Sequence, residues 1–210
     1  MEKQPVVFIV DDDPTVCTAL RRLIRSVGME VETFTSARDF LQAKHAHGLG
    51  CVVLDVRLPD LSGLNLQERL AEANIDLPII FITGYGDIPM TVRAMKAGAL
   101  EFLTKPLNEQ QLLDAMQHGI EKHRRQLVRR GEMTELQTRY QSLTNRERQV
   151  FPLVANGYLN KQIAAKLGTS EKTIKIHRGQ VMAKMKAGSV PDLVHMATML
   201  GLPSSRDTAA

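Results

Sequence analysis

Short runs of apolar, mostly β-branched residues alternate with helical patterns through the first 120 residues, and this alternation limits the fold more than any other feature. Runs that are apolar at consecutive positions are typical of strands buried on both faces of a parallel sheet. Five such runs occur: Val6–Val10, Val31–Phe34, Cys51–Leu54, Ile79–Ile82 and Leu100–Leu103. Five strand–helix repeats predict an α/β fold with a doubly wound, five-stranded parallel sheet, whose ligands lie beyond the carboxyl ends of the strands.

Capping patterns mark where helices of this region begin. Asp13 followed by Pro14 is typical of an N-cap with proline at the first helical position. Asp87 is predicted to cap the fourth helix in the same way, and Asn108, three residues before Gln111, resembles a capping box for the fifth. Each of these helices therefore starts shortly after a predicted strand.

After residue 121 the chain changes character. Residues 122–142 are rich in Lys and Arg and carry sparse apolar residues at roughly helical spacing. This predicts a helical linker that continues the fifth helix and is weakest at Gly131, with a disordered basic tether as the alternative.

From Leu143 onward the pattern is one of short helices. Their starts are marked by residues that favour helix N-termini: Thr144, Asn160, Ser170 and Ser189. Gly168 separates the second helix from a basic third helix over Thr173–Met185. Two helices joined by a glycine-containing turn, the second of them basic, predict an all-α helix-turn-helix domain.

Charge is divided unevenly between the two halves. Residues 1–121 hold 11 Lys and Arg against 17 Asp and Glu, whereas residues 122–210 hold 16 against 6. The basic half indicates a polyanion such as nucleic acid as partner, because each cation placed near a phosphate releases a counterion. No apolar segment is long enough to cross a membrane and no signal region is evident, so we expect a cytoplasmic protein.

Acidic and phosphate-binding residue types follow the predicted strands. They are Asp11, Asp12 and Asp13 after the first strand, Asp55 after the third, Thr83 and Gly84 after the fourth, and Lys105 and Pro106 after the fifth. Several carboxylates in one crevice stay ionised together only if something compensates them, and Mg²⁺ does so while leaving coordination positions for phosphate oxygens. A lysine and a threonine beside a glycine amide can bind a phosphoryl group. The pattern predicts phosphoryl transfer to a carboxylate.

Several segments resemble a known family. Those of the first half are Val10–Asp13, Leu54–Pro59, Ile82–Gly84, Met95–Ala99 and Phe102–Pro106, which resemble the receiver domains of bacterial two-component response regulators. Residues 144–202, with Arg146–Arg148, Asn160–Ala164 and Thr173–His177, resemble the LuxR-type helix-turn-helix. Together they are similar to the FixJ-type branch of the NarL/FixJ family.

The resemblance implies three regions: a flavodoxin-like receiver domain over 1–121, a basic linker over 122–142 and a DNA-binding domain over 143–210. It implies that Asp55 accepts the phosphoryl group and that Lys105, followed by a cis bond to Pro106, pairs with it. Mg²⁺ would be bound by Asp12, Asp55 and the Arg57 carbonyl, with Asp11 acting through water. Thr83 and Phe102 would form a switch pair that works sterically; a core phenylalanine is the alternative for Phe102.

Movement of this switch pair would change a surface of the receiver. We expect it to repack the face formed by the fourth helix and the fifth strand, at Met90, Val92, Arg93 and Leu100. Two phosphorylated receivers would meet at this face. Release of an inhibitory contact between the domains is the alternative.

At the DNA-binding end, the resemblance implies that the third helix of this domain enters the major groove. Lys175 and Ile176 would then face base edges, while Lys161, Thr173 and Arg178 would contact phosphates. The alternative for these residues is a solvated face. The implied partners are a sensor histidine kinase, double-stranded promoter DNA, RNA polymerase and, after phosphorylation, a second copy of the chain.

Three features of this domain leave alternatives open. Pro152 is expected to kink or shorten the first helix, at a cost of about 3 kcal/mol. Gly179, in the third helix, either permits closer approach to DNA or weakens specificity. The apolar residues of the last helix form a dimer contact or pack within the domain: Leu193, Val194, Met196, Ala197 and Met199.

Two rival functions are compatible with parts of the pattern. A Mg²⁺-dependent phosphatase also uses an aspartyl nucleophile, but it would place an acid two residues after Asp55, where Arg57 stands. A nucleotide-binding glycine loop is also missing from the sequence. The other rival is a DNA-binding protein whose first domain is a protein-interaction module that is not phosphorylated. The residues favour a regulator that catalyses only its own phosphorylation and dephosphorylation.

Overall fold

A computed structural model describes residues 4–43, 48–84 and 86–203. The chain divides into two compact units, Met1–Leu127 and Val128–Ala210. In the first unit, five strands form one parallel sheet in the order β2-β1-β3-β4-β5. The strands are β1 (Val6–Val10), β2 (Glu30–Phe34), β3 (Gly50–Asp55), β4 (Ile79–Thr83) and β5 (Glu101–Thr104). The predicted doubly wound sheet is confirmed.

Helices cover both faces of this sheet. They are α1 (Pro14–Ser26), α2 (Ala37–Gln42), α3 (Gly63–Glu72), α4 (Ile88–Lys96) and α5 (Glu109–Gln141). Apolar residues of α1 and α5 pack in one core cluster, and those of α2, α3 and α4 pack in a second one. Cys17 and Cys51 are buried in the first of these clusters, and burial raises the pKa of the Cys51 thiol to about 12.

The predicted caps of the first unit are present. Asp13 accepts a hydrogen bond from the backbone N–H of Thr15, and Asp87 accepts one from Met90. The Asn108 side chain likewise accepts from the N–H of Gln111. These bonds satisfy amide groups that a helix start leaves without intrahelical partners.

The fifth helix extends over most of the residues proposed as a linker. α5 runs for 33 residues without a break at Gly131. Its first turns bury Leu112 and Met116 in the core of the first unit, and Leu136 belongs to the core of the second. Apolar contacts at both ends of α5 stabilise the helix, although its middle carries few apolar residues.

Up to residue 203, where the described part of the second unit ends, the chain forms four further helices. They are α6 (Asn145–Ala155), α7 (Asn160–Leu167), α8 (Glu171–Met185) and α9 (Val190–Met199). Thr144 and Glu147 form the predicted capping box, and Gly168 ends α7 in the left-handed conformation. α8 begins two residues earlier than predicted, because Ser170 caps it. Asn160 is the first residue of α7, and Leu159 is the N-cap.

The structure shows the effect of Pro152 on α6 and the location of the apolar residues of α9. α6 continues three residues past Pro152 to Ala155, so the proline does not end the helix where it stands. In α9, Leu193 and Ala197 pack in the core of the unit, whereas the Val194 side chain is exposed. Among the described residues, no helix has both the length and the apolar character needed to span a membrane.

Candidate functional site

The sheet register brings the predicted pocket residues to one edge. Val10, the last residue of β1, pairs with Leu54 of β3. The residues that come next in the chain, Asp11 and Asp55, therefore lie side by side. Carboxylate oxygens of Asp11, Asp12 and Asp55 lie within 4.8 Å of one another. Asp11 and Asp55 are buried and Asp12 is exposed, so the group opens to solvent on one side.

Lys105 neutralises part of this negative charge. Its Nζ donates to Asp11 Oδ2 at 2.7 Å and to Asp55 Oδ2 at 2.9 Å. It comes directly after β5, and the peptide bond to Pro106 is cis, as the resemblance implied. The lysine thus contacts the two carboxylates that burial would otherwise leave uncompensated.

Burial and pairing act in opposite directions on these groups. Burial raises the pKa of the Asp11 carboxyl, against the lowering effect of its hydrogen bond from Lys105. Burial acts to lower the pKa of Lys105, but hydrogen bonds to Asp11 and Asp55 outweigh it, and that pKa is raised. Lys105 therefore stays protonated at neutral pH, as a phosphate-binding group requires.

Backbone N–H groups hold the carboxylates in place. The amide of Asp13 donates to Asp11 Oδ1 at 2.9 Å, and the amide of Arg57 donates to Asp55 Oδ1 at 3.2 Å. Each aspartate thus has one oxygen tied to its own loop and the other bound to Lys105. Rigid placement of this kind favours transfer of a group to a positioned oxygen.

The two switch candidates lie on neighbouring strands. Thr83, at the end of β4, has a fully buried side chain. Phe102 of β5 is half-buried, and its ring centroid lies 6.0 Å from that of Phe81. A β-carbon at Gly86 would lie 3.0 Å from Phe102 Cε1 and 3.4 Å from Thr83 Cγ2. Gly86 thus contacts both switch candidates, a role that sequence reasoning missed because the contact depends on packing.

α4 carries an apolar stripe on its exposed side. Ile88, Val92 and Met95 are spaced by four and three residues and are 80%, 44% and 43% exposed. Of the four residues predicted for this surface, only Val92 belongs to the stripe. Met90 and Leu100 pack against the core, because their side of α4 and β5 faces the sheet. Arg93 pairs with Glu68 at 2.8 Å.

The carboxyl end of α4 is anchored to α3. Gln67 is buried, and its Nε2 donates to the carbonyl oxygens of Ala94 at 3.2 Å and Ala97 at 3.0 Å. Ala94 belongs to the last turn of α4 and Ala97 is its C-cap, and the carbonyls at a helix end lack intrahelical donors. The anchor fixes the carboxyl end of α4 to the helix that follows the Asp55 loop.

The second unit presents α8 as its candidate nucleic-acid interface. Ile174, Val181 and Met185 of α8 are buried in the core of the unit. Lys175 and Ile176 are exposed, and so is Lys161 of α7. The structure therefore brings these three predicted contacts to the surface.

Two other predicted DNA contacts are engaged within the unit. The Thr173 hydroxyl lies 2.8 Å from that of Ser170, at the start of α8. Arg178 Nη1 donates to Asn160 Oδ1 at 3.3 Å, which links α8 to α7. Both side chains are half-buried, so each has a structural contact besides any contact with phosphate.

An ion pair with a buried carboxylate, which the sequence did not reveal, supports this interface. Glu147 of α6 is 4% exposed and accepts a hydrogen bond from Lys184 Nζ of α8 at 2.7 Å. It also accepts one from the Thr144 amide at 2.8 Å. Glu147 and Lys184 are 37 residues apart in the sequence. The sequence predicts only the contact between Glu147 and Thr144, which belongs to the capping box.

Comparison with known proteins finds matches in both units. Residues 7–117 match the response regulator receiver domain family, and residues 141–197 match the bacterial regulatory proteins of the luxR family. The first match lies in the first compact unit and the second lies in the other.

Curated relatives are similar over almost the whole chain. Nodulation protein W of Bradyrhizobium diazoefficiens is 50% identical over 200 residues, which cover 95% of this chain and 88% of that protein. Response regulator protein TmoT of Ectopseudomonas mendocina is 46% identical over 199 residues, covering 95% and 90%. Transcriptional regulatory protein FixJ of Azorhizobium caulinodans is 39% identical over 201 residues, covering 96% and 95%.

Solved structures are similar as well. The response regulator StyR matches with a TM-score of 0.85 and 48% identity, over 93% of this chain and 99% of that one. Full-length FixJ from B. japonicum matches with a TM-score of 0.58 and 36% identity, over 96% and 98%.

Proposed function

Because the chain belongs to the NarL/FixJ family of two-component transcription regulators, we propose that Asp55 accepts a phosphoryl group from a sensor histidine kinase. The observation that carries this proposal is the clustering of Asp55 with Asp11 and Asp12 and its hydrogen bond from Lys105, which also bonds to Asp11. In the transfer, the phosphorus–nitrogen bond of a kinase phosphohistidine breaks and a bond from phosphorus to an Asp55 oxygen forms. The matched families are transcription regulators and not metabolic enzymes, so the phosphatase alternative is set aside.

The chain's own residues bind and orient the phosphoryl group. Lys105 Nζ exchanges its bond to Asp55 for bonds to phosphoryl oxygens, and the Thr83 hydroxyl and the Gly84 amide donate to the others. The carboxylates suit Mg²⁺, which prefers hard oxygen ligands; Asp12, Asp55 and the Arg57 carbonyl would hold it, with Asp11 acting through water. Bound Mg²⁺ would neutralise charge on the carboxylates and on the transferring phosphoryl group.

Phosphorylation is proposed to act through the switch pair. Thr83 moves towards the phosphoryl group, and Phe102 turns into the space behind it, which changes the surface of α4 and β5. The apolar stripe of Ile88, Val92 and Met95 supports this surface as the place where two phosphorylated chains meet. Exposed Val194 supports a second contact between the DNA-binding domains.

The DNA-binding domain, proposed to comprise residues 143–210, places α8 in the major groove of promoter DNA. Lys175 and Ile176 read base edges, and Lys161, Thr173 and Arg178 contact phosphates. The receiver is proposed to cover residues 1–121 and the linker residues 122–142. Contact with RNA polymerase then follows from the role of a transcription regulator.

Labelling by acetyl phosphate in the presence of Mg²⁺ tests the assignment of Asp55. We expect Asp55→Asn to abolish labelling of the full chain, because the amide keeps the shape of the carboxylate but is a poor nucleophile. Asp13→Asn is the matched control: it changes a neighbouring carboxylate, and asparagine caps α1 equally well, so labelling should persist. Undiminished labelling of Asp55→Asn would place the acceptor elsewhere, and an unlabelled parent would favour the protein-interaction alternative.

A further inference from the structure

The exposed side of α8 has an unusual composition for a basic helix. Its buried face is formed by Ile174, Val181 and Met185. The opposite face follows the helical repeat of about 3.6 residues. It consists of Lys172, Ile176, Gly179, Gln180 and Ala183, all exposed, and the exposed Lys175 lies at its edge. Only two of these five side chains, those of Lys172 and Gln180, are able to form hydrogen bonds.

Around Gln180 this face carries small side chains and leaves open space. Gly179 has no side chain, and a β-carbon placed there would meet nothing within 4 Å. Ala183 follows one turn later, and Ile176, 58% exposed, precedes Gln180 by one turn. Because the neighbouring side chains are small, the backbone of α8 is able to approach the floor of the DNA groove closely. A glutamine at position 180 is then long enough to reach the bases.

The Gln180 amide is free to bind a ligand. Among the described residues it has no hydrogen-bond partner within the protein, in contrast to Thr173 and Arg178, which are engaged with Ser170 and Asn160. A glutamine amide offers one acceptor and two donors in a plane, the pattern that matches N6 and N7 of adenine in the major groove. A lysine such as Lys172 offers only a point charge and suits a phosphate equally well.

We propose that Gln180 is a specificity-determining residue that reads an adenine in each half-site, with Ile176 against the methyl group of a nearby thymine. The inference rests on the proposed placement of α8 in the major groove, and it names the base that this helix selects. Gly179, whose effect was left open by the sequence, contributes by permitting close approach rather than by weakening specificity.

The test is a measurement of base preference with the full, acetyl-phosphate-treated chain. Binding to a DNA library randomised around a selected site should show that Gln180→Ala loses the preference for adenine at one position per half-site. The expected loss of discrimination is about 5- to 150-fold, which corresponds to the range for one bidentate side-chain contact. Preferences at the other positions should remain. Gln180→Glu should favour cytosine at the same position, because a carboxylate accepts from cytosine N4.

Lys161→Gln is the matched control. This exposed residue of α7 is proposed to contact phosphate, so its loss should weaken binding to all sequences alike and reduce the salt dependence. Alanine favours helix formation at least as well as glutamine, so α8 is retained in Gln180→Ala. Gln180→Ala with an unchanged base preference overturns the inference and leaves the proposed function standing. A parent chain that binds DNA without sequence preference overturns both.

Discussion

At the residue scale, the Lys105 ammonium organises a pocket that contains three carboxylates. Lys105 bonds to both buried aspartates, Asp11 and Asp55, whereas Asp12 faces solvent. The proposed phosphoryl group on Asp55 would therefore compete for a lysine that is already in place. Such competition would couple chemistry at Asp55 to movement at the end of β5, the strand that also carries Phe102.

Gly86 provides a direct test of that movement. Gly86→Ala places a carbon 3.0 Å from Phe102 Cε1, closer than the 3.5–4.0 Å of a favourable contact. If Phe102 turns inward on phosphorylation, the added methyl group disfavours the present position of the Phe102 ring more than the inward position. A difference of about 1 kcal/mol, the low end for overpacking, would raise dimerisation without phosphodonor about fivefold. Sedimentation equilibrium of the full chain measures this.

The control is a double-mutant cycle with Phe102→Ala. Removal of the ring removes the contact, so Gly86→Ala should have no effect in that background. An unchanged or weaker dimer for Gly86→Ala alone would contradict inward movement of Phe102.

At the scale of elements, helix ends and long-range pairs stabilise the second unit. The capping box at Thr144 starts α6, and Glu147 of the same box also pairs with Lys184 of α8. The Arg139 guanidinium of α5 lies 3.4 Å from the Met185 carbonyl at the end of α8. The last turn of the candidate recognition helix is therefore tied to two other helices.

The Glu147 contacts make the stability of this unit depend on pH. Burial acts to raise the pKa of Glu147, but hydrogen bonds from Lys184 and Thr144 outweigh it and hold that pKa below its ordinary value. Stability from this group is therefore present above the ordinary pKa of glutamate, about 4.3, and is lost as the pH falls through the lowered value. Glu147→Gln should lower the free energy of unfolding at pH 7 by about 1–3 kcal/mol, with a smaller difference in acid.

Urea unfolding followed by tyrosine fluorescence provides the measurement. In a Tyr85→Phe background the remaining tyrosines, Tyr140 and Tyr158, both belong to the second unit. Glu132→Gln, an exposed glutamate of α5, is the control and should change little at either pH. An equal loss for Glu147→Gln at pH 7 and pH 3 would show that its contacts are not the source of the pH dependence.

At the scale of the whole molecule, an apolar surface on one unit is proposed to control the DNA affinity of the other. Two chains that meet through the α4 stripe bring two DNA-binding domains to adjacent half-sites. Affinity then rises through effective concentration, by about 100-fold or more, without a new base contact.

Val92→Glu tests this coupling. A charge in the middle of the stripe should keep the phosphorylated chain monomeric and remove the phosphorylation-dependent gain in DNA affinity, while labelling of Asp55 persists. Sedimentation and DNA titration of the same samples measure both effects. Val27→Glu is a matched control, because Val27 is 45% exposed and Val92 is 44% exposed. A monomeric Val92→Glu whose affinity still rises on phosphorylation would instead favour release of an inhibitory contact between the domains.

The sequence alone determined the positions of the strands, most helix starts and which residues follow the carboxyl ends of the strands. These depend on local physics: a strand buried on both faces needs consecutive apolar residues, and a helix start needs a cap such as Asp13. Because parallel strands end at one edge of the sheet, the pattern also predicted that Asp11, Asp55 and Lys105 would lie close together, and they do. The strand at Leu100 is an exception: β5 pairs with β4 one residue later, over Glu101–Thr104.

The tertiary structure decided which distant residues touch. Nothing in the local sequence pairs Glu147 with Lys184, Arg178 with Asn160, or Gly86 with Phe102. Such contacts join residues on separate elements, and they form only where packing of the apolar faces sets the distance between those elements. For the same reason the exposed stripe of α4 could not be predicted residue by residue, since the side of an amphipathic helix that stays uncovered depends on its neighbours.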